Sequence, residues 1–480
     1  MLGPRNVVVS TSKRLSASVL LGACVLTAQA GQAPTPGRPD PREIPVPAIK
    51  APMGRLPGVG ELPARPEMPD VMVMNDGTRV TAPPQWRNRR VEIRRTLEYY
   101  ATGQMPPPPG NVHGRQVLSS TVLQDRVRYR LVRLTFGPKE QLSLNVGIFT
   151  PAAGGPFPAV ILQGEMPPGA SVLPRLPPGP NQGRGENVLL IVGRTLPDGQ
   201  APVPVPPPAE PPTAEALAAR YADLFVRGYA LAVFNHNDCA EDTTLRNADG
   251  SFAFRTTRFY PAYPGYDWGV LAGWAWGASR VADYLVTDPA IDRAALIVTG
   301  ASRLGKSAMI AAAFDERLMG APAITGGGGM GAYRFAGANG SESFDVMQTK
   351  YPNWFSPNLH EFRGQREKLP FDQHWFLALC APRPFLALEG VADRISLPEA
   401  VRQTVKAAEP AYALLGARGR VGVSYEPHGH TVTPADWAAL MDFFDAQLRG
   451  RPTARAFDRY PTDAEREAAI AAATKKQEQP

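Results

Sequence analysis

The chain has 480 residues, 44% of them hydrophobic, enough to bury a full core in one large domain or in two or three smaller ones. Lysine and arginine number 51 against 44 acids; of the formal charge of +7, three units are Arg5, Lys13 and Arg14 in an acid-free stretch of thirty residues, and without them +4 remains. That mild excess, with no dense basic stripe interleaved with aromatics, excludes a surface that tracks nucleic-acid phosphates.

At the N-terminus those cations precede an apolar run at 15–26 and then Ala28-Gln29-Ala30, a small-x-small pattern that suits signal peptidase, so residues 1–30 are expected to be an export signal leading to the periplasm or beyond. Leu21-Gly22-Ala23-Cys24 offers a second processing route, in which Cys24 carries a lipid anchor. No run reaches about 18 uninterrupted apolar residues, so no membrane span is expected. Residues 31–70 are rich in proline, glycine and alanine and read as a linker, with folded structure beginning near 70.

From there short apolar runs alternate with helix-length amphipathic segments. That rhythm predicts one domain over 71–450: a three-layer αβα sandwich around a mostly parallel sheet. The segments 127–134 and 142–149 read as antiparallel opening strands, and 157–163, 229–234, 295–299, 321–325, 384–389 and 421–425 as the buried central ones. Helices are expected at 214–226, 266–285, 306–314, 398–415 and 434–448, with Pro398 and Pro434 at first-turn positions. A proline-rich insertion at 167–212 interrupts the pattern, and the polar tail 451–480 is expected to fray.

The segment Gly300-Ala301-Ser302-Arg303-Leu304-Gly305-Lys306 follows the strand at 295–299 and opens the next helix. A glycine-flanked strand-to-helix turn lifts a serine hydroxyl above the sheet and points helix-start N–H groups at an oxyanion, the geometry of a nucleophile elbow with Ser302 as nucleophile. The second glycine falls one residue later than in G-x-S-x-G. A serine hydroxyl needs a base, which in the order nucleophile, acid, histidine lies beyond the last strand; Pro427-His428-Gly429-His430 stands there, and either imidazole could serve. The loop after 384–389 offers Glu389 and Asp393, of which Asp393, past the strand end, is better placed to orient an imidazole. The remaining histidines, His113, His236, His360 and His374, show no metal-ligand spacing, and the mature chain keeps only Cys239 and Cys380, so no metal, cofactor or disulfide framework is expected. Trp274 and Trp276 fall in an apolar helical segment and read as packing residues, Asp372 and His374 as loop-holding ones.

These residues, with Trp274-Ala275-Trp276-Gly277-Ala278-Ser279-Arg280, Trp354-Phe355, Leu369-Pro370-Phe371-Asp372-Gln373-His374 and Ala381-Pro382-Arg383-Pro384, resemble the glucuronoyl esterases, carbohydrate esterase family 15, particularly the bacterial branch, over about 86–444. The resemblance implies the α/β-hydrolase fold and a family motif G-[CH]-S-R-x-G-K. In it Ser302 is the nucleophile, Arg303 an oxyanion donor and Lys306 a contact to the uronate sugar. It implies that Glu342 binds sugar hydroxyls, that the histidine is His430 rather than His428, and that the acid is Asp393. The implied substrate is an ester of glucuronic or 4-O-methyl-glucuronic acid on xylan with a lignin-type alcohol, cleaved by a monomer. Two departures stand out: Arg394 and Ile395 replace a sugar-contacting tryptophan, and Ala301 replaces the cysteine or histidine before the serine. The first keeps open a broader carboxylesterase or acetylxylan esterase; a silent carbohydrate-binding protein is the reading from another class.

Overall fold

The computed structural model describes residues 52–176, 211–247, 249–335 and 342–478. Among these residues nine strands form one sheet: β1 (His113–Val122), β2 (Val127–Phe136), β3 (Leu142–Pro151), β4 (Phe157–Gln163), β5 (Ala230–Phe234), β6 (Ile291–Ala301), β7 (Leu318–Ala323), β8 (Phe385–Gly390) and β9 (Val421–Glu426). Their order is β1-β2-β3-β5-β4-β6-β7-β8-β9. The first three are joined antiparallel to one another and to β5, and every later pairing is parallel.

Among the described residues ten α-helices connect and cover this sheet: α1 (Pro83–Leu97), α2 (Ala214–Arg220), α3 (Ala222–Val226), α4 (Val270–Leu285), α5 (Arg303–Phe314), α6 (Phe344–Lys350), α7 (His374–Cys380), α8 (Pro398–Leu414), α9 (Pro434–Arg449) and α10 (Asp463–Glu478). Apolar residues run unbroken through β4, β5 and the body of β6 because both faces are covered. Ala159, Ile161, Leu296 and Val298 pack on the face of α1, α4, α5, α7 and α8, while Val160, Leu162, Ala295 and Ile297 pack against α2, α3 and α9. The result is the three-layer α/β-hydrolase architecture. Trp274 and Trp276 are buried in α4 and donate to the carbonyls of Ala240 and Pro106.

Several boundaries differ from the sequence reading for local reasons. The helix expected over 214–226 breaks at Tyr221 into α2 and α3, α4 begins at Val270, and β7 ends at Ala323. Two elements carry little apolar periodicity: β1 is an exposed edge strand, and α1 is rich in arginine. Arg89 of α1 is nonetheless buried, donating to Val71 O, Asn75 Oδ1 and Glu92 Oε2 and lying 4.5 Å from the Trp375 ring centroid.

Two segments expected to hang loose are tied down. Within the stretch read as a linker, Leu56 and Leu62 pack on the core, the Tyr100 hydroxyl donates to Pro57 O, and Arg65 N donates to Glu367 O. Within the tail expected to fray, Phe457 O accepts from Val423 N on the edge strand β9, and Arg466 of the helix at Asp463–Glu478 donates to Ser396 O. The proline-rich insertion lies largely outside the described residues. Among the described residues no helix is long and apolar enough to cross a membrane.

Gly320 marks a tight internal fit of the sheet: a Cβ there would sit 2.4 Å from the Phe385 ring and 3.1 Å from Ala312 Cβ, forcing β7, β8 and α5 apart. Gly320→Ala is expected to cost about 1–3 kcal/mol by overpacking, read as a lowered midpoint in chemical denaturation.

Candidate active site

The site is built at the carboxyl ends of the parallel strands. Between β6 and α5 the chain reverses within one residue, Ser302, at φ 58° and ψ −121°, a conformation that L side chains seldom adopt and that surrounding structure must hold. Ser302 N donates to Ala323 O of β7, and Ser302 O accepts from Lys306 N to start the helix. Two glycines make the turn sterically feasible. A Cβ at Gly300 would lie 2.7 Å from Leu304 Cβ, and one at Gly305 would lie 2.7 Å from Ala323 O.

The loop after β9 brings His430 over this turn. Its Nε2 stands 2.9 Å from Ser302 Oγ and its Nδ1 2.8 Å from Asp393 Oδ2. The Asp393 side chain is fully buried, and its other oxygen accepts from Ile395 N, so the carboxylate is held at both ends. Ser302, His430 and Asp393 are thus one hydrogen-bonded chain, able to move a proton off the hydroxyl. His428 is not in it. Its Nε2 pairs with Asp436, the residue that also caps α9 through Thr433, and its Nδ1 faces Gly429 O. Burial works against charging His428, but Asp436 and the Gly429 carbonyl outweigh it and raise its pKa.

Glu389, the other carboxylate of the acid loop, is wholly buried on β8, where Thr325 Oγ1 donates to its Oε1 at 3.1 Å. Burial, followed by the nearby charge of Asp393, pushes its pKa from 4.5 up to about 8, so it is neutral in the folded protein at mildly acidic pH.

Beside the elbow, Arg303 Nη1 meets Asp242 Oδ2 at 2.5 Å, and the guanidinium lies 5.3 Å from the Trp354 ring centroid. Asp242 was not anticipated. It comes from the loop after β5, and its Oδ1 also accepts from Asn353 Nδ2 and Trp354 Nε1 at 3.0 and 2.9 Å. A carboxylate beyond the end of a central strand was the one signal that could have pointed to it. Lys306 is buried: its Nζ donates to Thr325 O and pairs with Glu342 Oε2 at 2.9 Å. The glycine run after β7 permits this, since a Cβ at Gly329 would sit 3.2 Å from Lys306 Cγ. Trp354 stacks on Tyr351 at 3.9 Å, closing the wall.

All six residues singled out by the sequence therefore meet in two connected groups, the serine–histidine–aspartate chain and the cation-lined wall beside it. Ile395 lies on the same rim, its carbonyl accepting from Glu342 N and its side chain against Gly326. Ala301 opens, with Leu304, Val432 and Trp437, onto a cavity of about 430 Å³. Among the described residues no group of three or more His, Cys, Asp or Glu side chains is placed to hold a metal ion.

The raised pKa of Glu389 has a sign that stability measurements can read. Between about pH 4.5 and 8 the unfolded chain releases this proton while the folded protein keeps it, so stability falls as pH rises through that window. Glu389→Gln is expected to flatten the fall in denaturation midpoint; an unchanged slope would mean that this carboxyl ionises normally.

Residues 195–416 match the family model described as glucuronyl esterase, fungi, a span that includes Ser302, Arg303, Lys306, Glu342 and Asp393. A carbohydrate esterase from an unknown prokaryotic organism is 26% identical over 403 residues, 80% of this chain and 90% of that protein. The 4-O-methyl-glucuronoyl methylesterase 1 of Wolfiporia cocos is 28% identical over 396 residues, 79% of this chain and 80% of that protein. Among solved structures, a family 15 glucuronoyl esterase from Caldicellulosiruptor kristjansonii superposes with a TM-score of 0.61 at 27% identity, covering 83% of this chain and 95% of its own. With an elbow serine, a loop histidine and a buried aspartate joined on this fold, the chain is similar in sequence and in architecture to the glucuronoyl esterases of carbohydrate esterase family 15.

Proposed function

We propose that this esterase hydrolyses esters of glucuronic or 4-O-methyl-glucuronic acid, as in linkages between glucuronoxylan and lignin alcohols. The observation that carries the reading is the 2.9 Å approach of His430 Nε2 to Ser302 Oγ beside a wall holding both cations and carboxylates. In this reading Ser302 Oγ attacks the ester carbonyl while His430 takes its proton, and Asp393 stabilises the imidazolium. Arg303 faces the developing oxyanion, whose charge its guanidinium and the first turn of α5 both favour. Collapse of the tetrahedral species breaks the bond to the alcohol, which leaves with the proton from His430. Water, deprotonated by the same imidazole, then splits the uronoyl–serine ester and restores the enzyme.

Lys306 and Glu342 are read as the sugar contacts, the ammonium toward the uronate and the carboxylate toward ring hydroxyls. Ile395, where the family's bacterial pattern has a tryptophan, favours a second reading as a broader carboxylesterase or acetylxylan esterase. Export through residues 1–30, the alternative anchor at Cys24 and a monomeric state belong to the same proposal and rest on sequence alone.

Rates on benzyl glucuronate, a galacturonate ester and acetylated xylan, measured side by side for wild type and Ser302→Ala, test both readings. The variant is expected to lose about 10⁴-fold or more in kcat with its fold intact, and the wild type to prefer glucuronate. Preference for acetyl groups moves the assignment to the second reading, and undiminished turnover by the variant rejects Ser302.

Asp242 gives a finer prediction. A hydrogen bond to a charged group is worth about 1.5–3 kcal/mol, so Asp242→Asn, which weakens the hold on Arg303, is expected to lower kcat by about 10- to 100-fold with the melting temperature nearly unchanged.

A further inference from the structure

The segment after Gly450 leaves α9 and returns to the catalytic end of the sheet. It is first zipped to β9: Phe457 O accepts from Val423 N, the Phe457 and Phe443 rings lie 5.1 Å apart, and Arg455 pairs with Glu426 and Asp442. It then forms α10, which meets the loop between β8 and α8 at two points. Arg466, only 9% exposed, donates from Nη2 to Ser396 O at 3.1 Å, and Thr474 Oγ1, two turns further along, accepts from Arg394 Nη2 at 2.8 Å. Ser396 and Arg394 flank Ile395 and follow directly on Asp393.

The loop's other backbone bonds run to the body of the fold, beginning with Val391 N to Glu426 O. Asp393 N donates to Gly390 O, Ala392 N to His428 O, and Ile395 O accepts from Glu342 N. The contacts from α10 add a second grip on this loop from the C-terminal segment, at Ser396 and Arg394. Burying a guanidinium is costly, and a solvent-facing helix has no need of one; Arg466 is a buried residue of α10, flanked by the exposed Glu465 and Glu467.

We propose that the C-terminal segment is part of the catalytic apparatus, with Arg466 a positioning residue that sets Asp393, and through it His430, by holding the carbonyl of Ser396. This rests on the reading of Ser302, His430 and Asp393 given above. The physical lever is short: one hydrogen bond three residues from the carboxylate, then 2.8 Å to Nδ1 and 2.9 Å from Nε2 to the hydroxyl. Misplacement of such a chain by about 1 Å costs on the order of 100-fold in rate.

The test compares full-length wild type, Arg466→Met, Arg466→Lys, Thr474→Val and Ser302→Ala on benzyl glucuronate, with melting temperatures and the rate of Ser302 labelling by a fluorophosphonate. Arg466→Met is expected to lower kcat and the labelling rate at least tenfold with KM within twofold of wild type, and Arg466→Lys to recover most of the loss. Thr474→Val is expected to lower kcat two- to threefold at an unchanged melting temperature. A folded Arg466→Met with wild-type kcat and labelling overturns the proposal. If that variant does not fold, wild-type kcat in both Arg466→Lys and Thr474→Val supports nothing beyond a structural role and equally overturns it. Activity in Ser302→Ala would instead reject the underlying mechanism, so the two failures are told apart.

Discussion

The backbone of Ser302 is the constraint on which the site depends. A non-glycine residue at φ 58° and ψ −121° is stable only where strand, turn and helix over-determine it, and here β7 grips Ser302 N while α5 begins on Ser302 O. The displaced second glycine of the motif follows from this geometry. Position 305, not 304, faces the neighbouring strand, where any Cβ would strike Ala323 O. Leu304 points instead over Gly164, whose missing side chain leaves it room: a Cβ there would lie 2.5 Å from Leu304 Cδ1. The steric demand normally met by a glycine after the serine is met across the sheet, on β4's exit loop.

Around that turn, charge is arranged by burial more than by count. Asp393 is buried and held at two oxygens, Glu389 is buried and neutral at mildly acidic pH, and the carboxylate that faces His430 is therefore Asp393 alone. The Arg303–Asp242 pair is half-exposed on the arginine side, so its contribution to stability is small. What it supplies is orientation, because the same carboxylate fixes Asn353 and Trp354 and so links Arg303 to the aromatic wall beside it. Lys306 and Glu342 differ in kind. That pair is buried, and removing one partner would strand a charge at a cost of about 3–5 kcal/mol.

The two histidines two residues apart show where sequence reasoning reaches its limit. Order along the chain places a base in this loop, but which imidazole faces the serine depends on Asp436: it sits in the first turn of α9, draws His428 away and leaves His430 free to turn inward. Asp242 and Arg466 are the converse cases, polar residues with no local pattern, whose roles arise from partners 61 and 70 positions away in sequence. The helix α1 escaped notice for a related reason: its arginines read as a solvated surface, whereas Arg89 is buried by three acceptors and an aromatic ring.

By itself the sequence determined whatever depends on local period and chain order: the buried central strands, the helices between them, the glycine-flanked serine and the histidine loop beyond the last strand. These are legible because pleat, helix repeat and turn sterics act over a few residues. Only the tertiary structure decided how the two histidines divide their partners, that Glu389 is buried and uncharged at mildly acidic pH, that Asp242 organises the arginine, and that residues 56–65 and the segment after Gly450 pack against the body. Each of those outcomes turns on burial and on partners far apart in the chain. Desolvation and hydrogen-bond geometry come into being only once the sheet has brought its strand ends together.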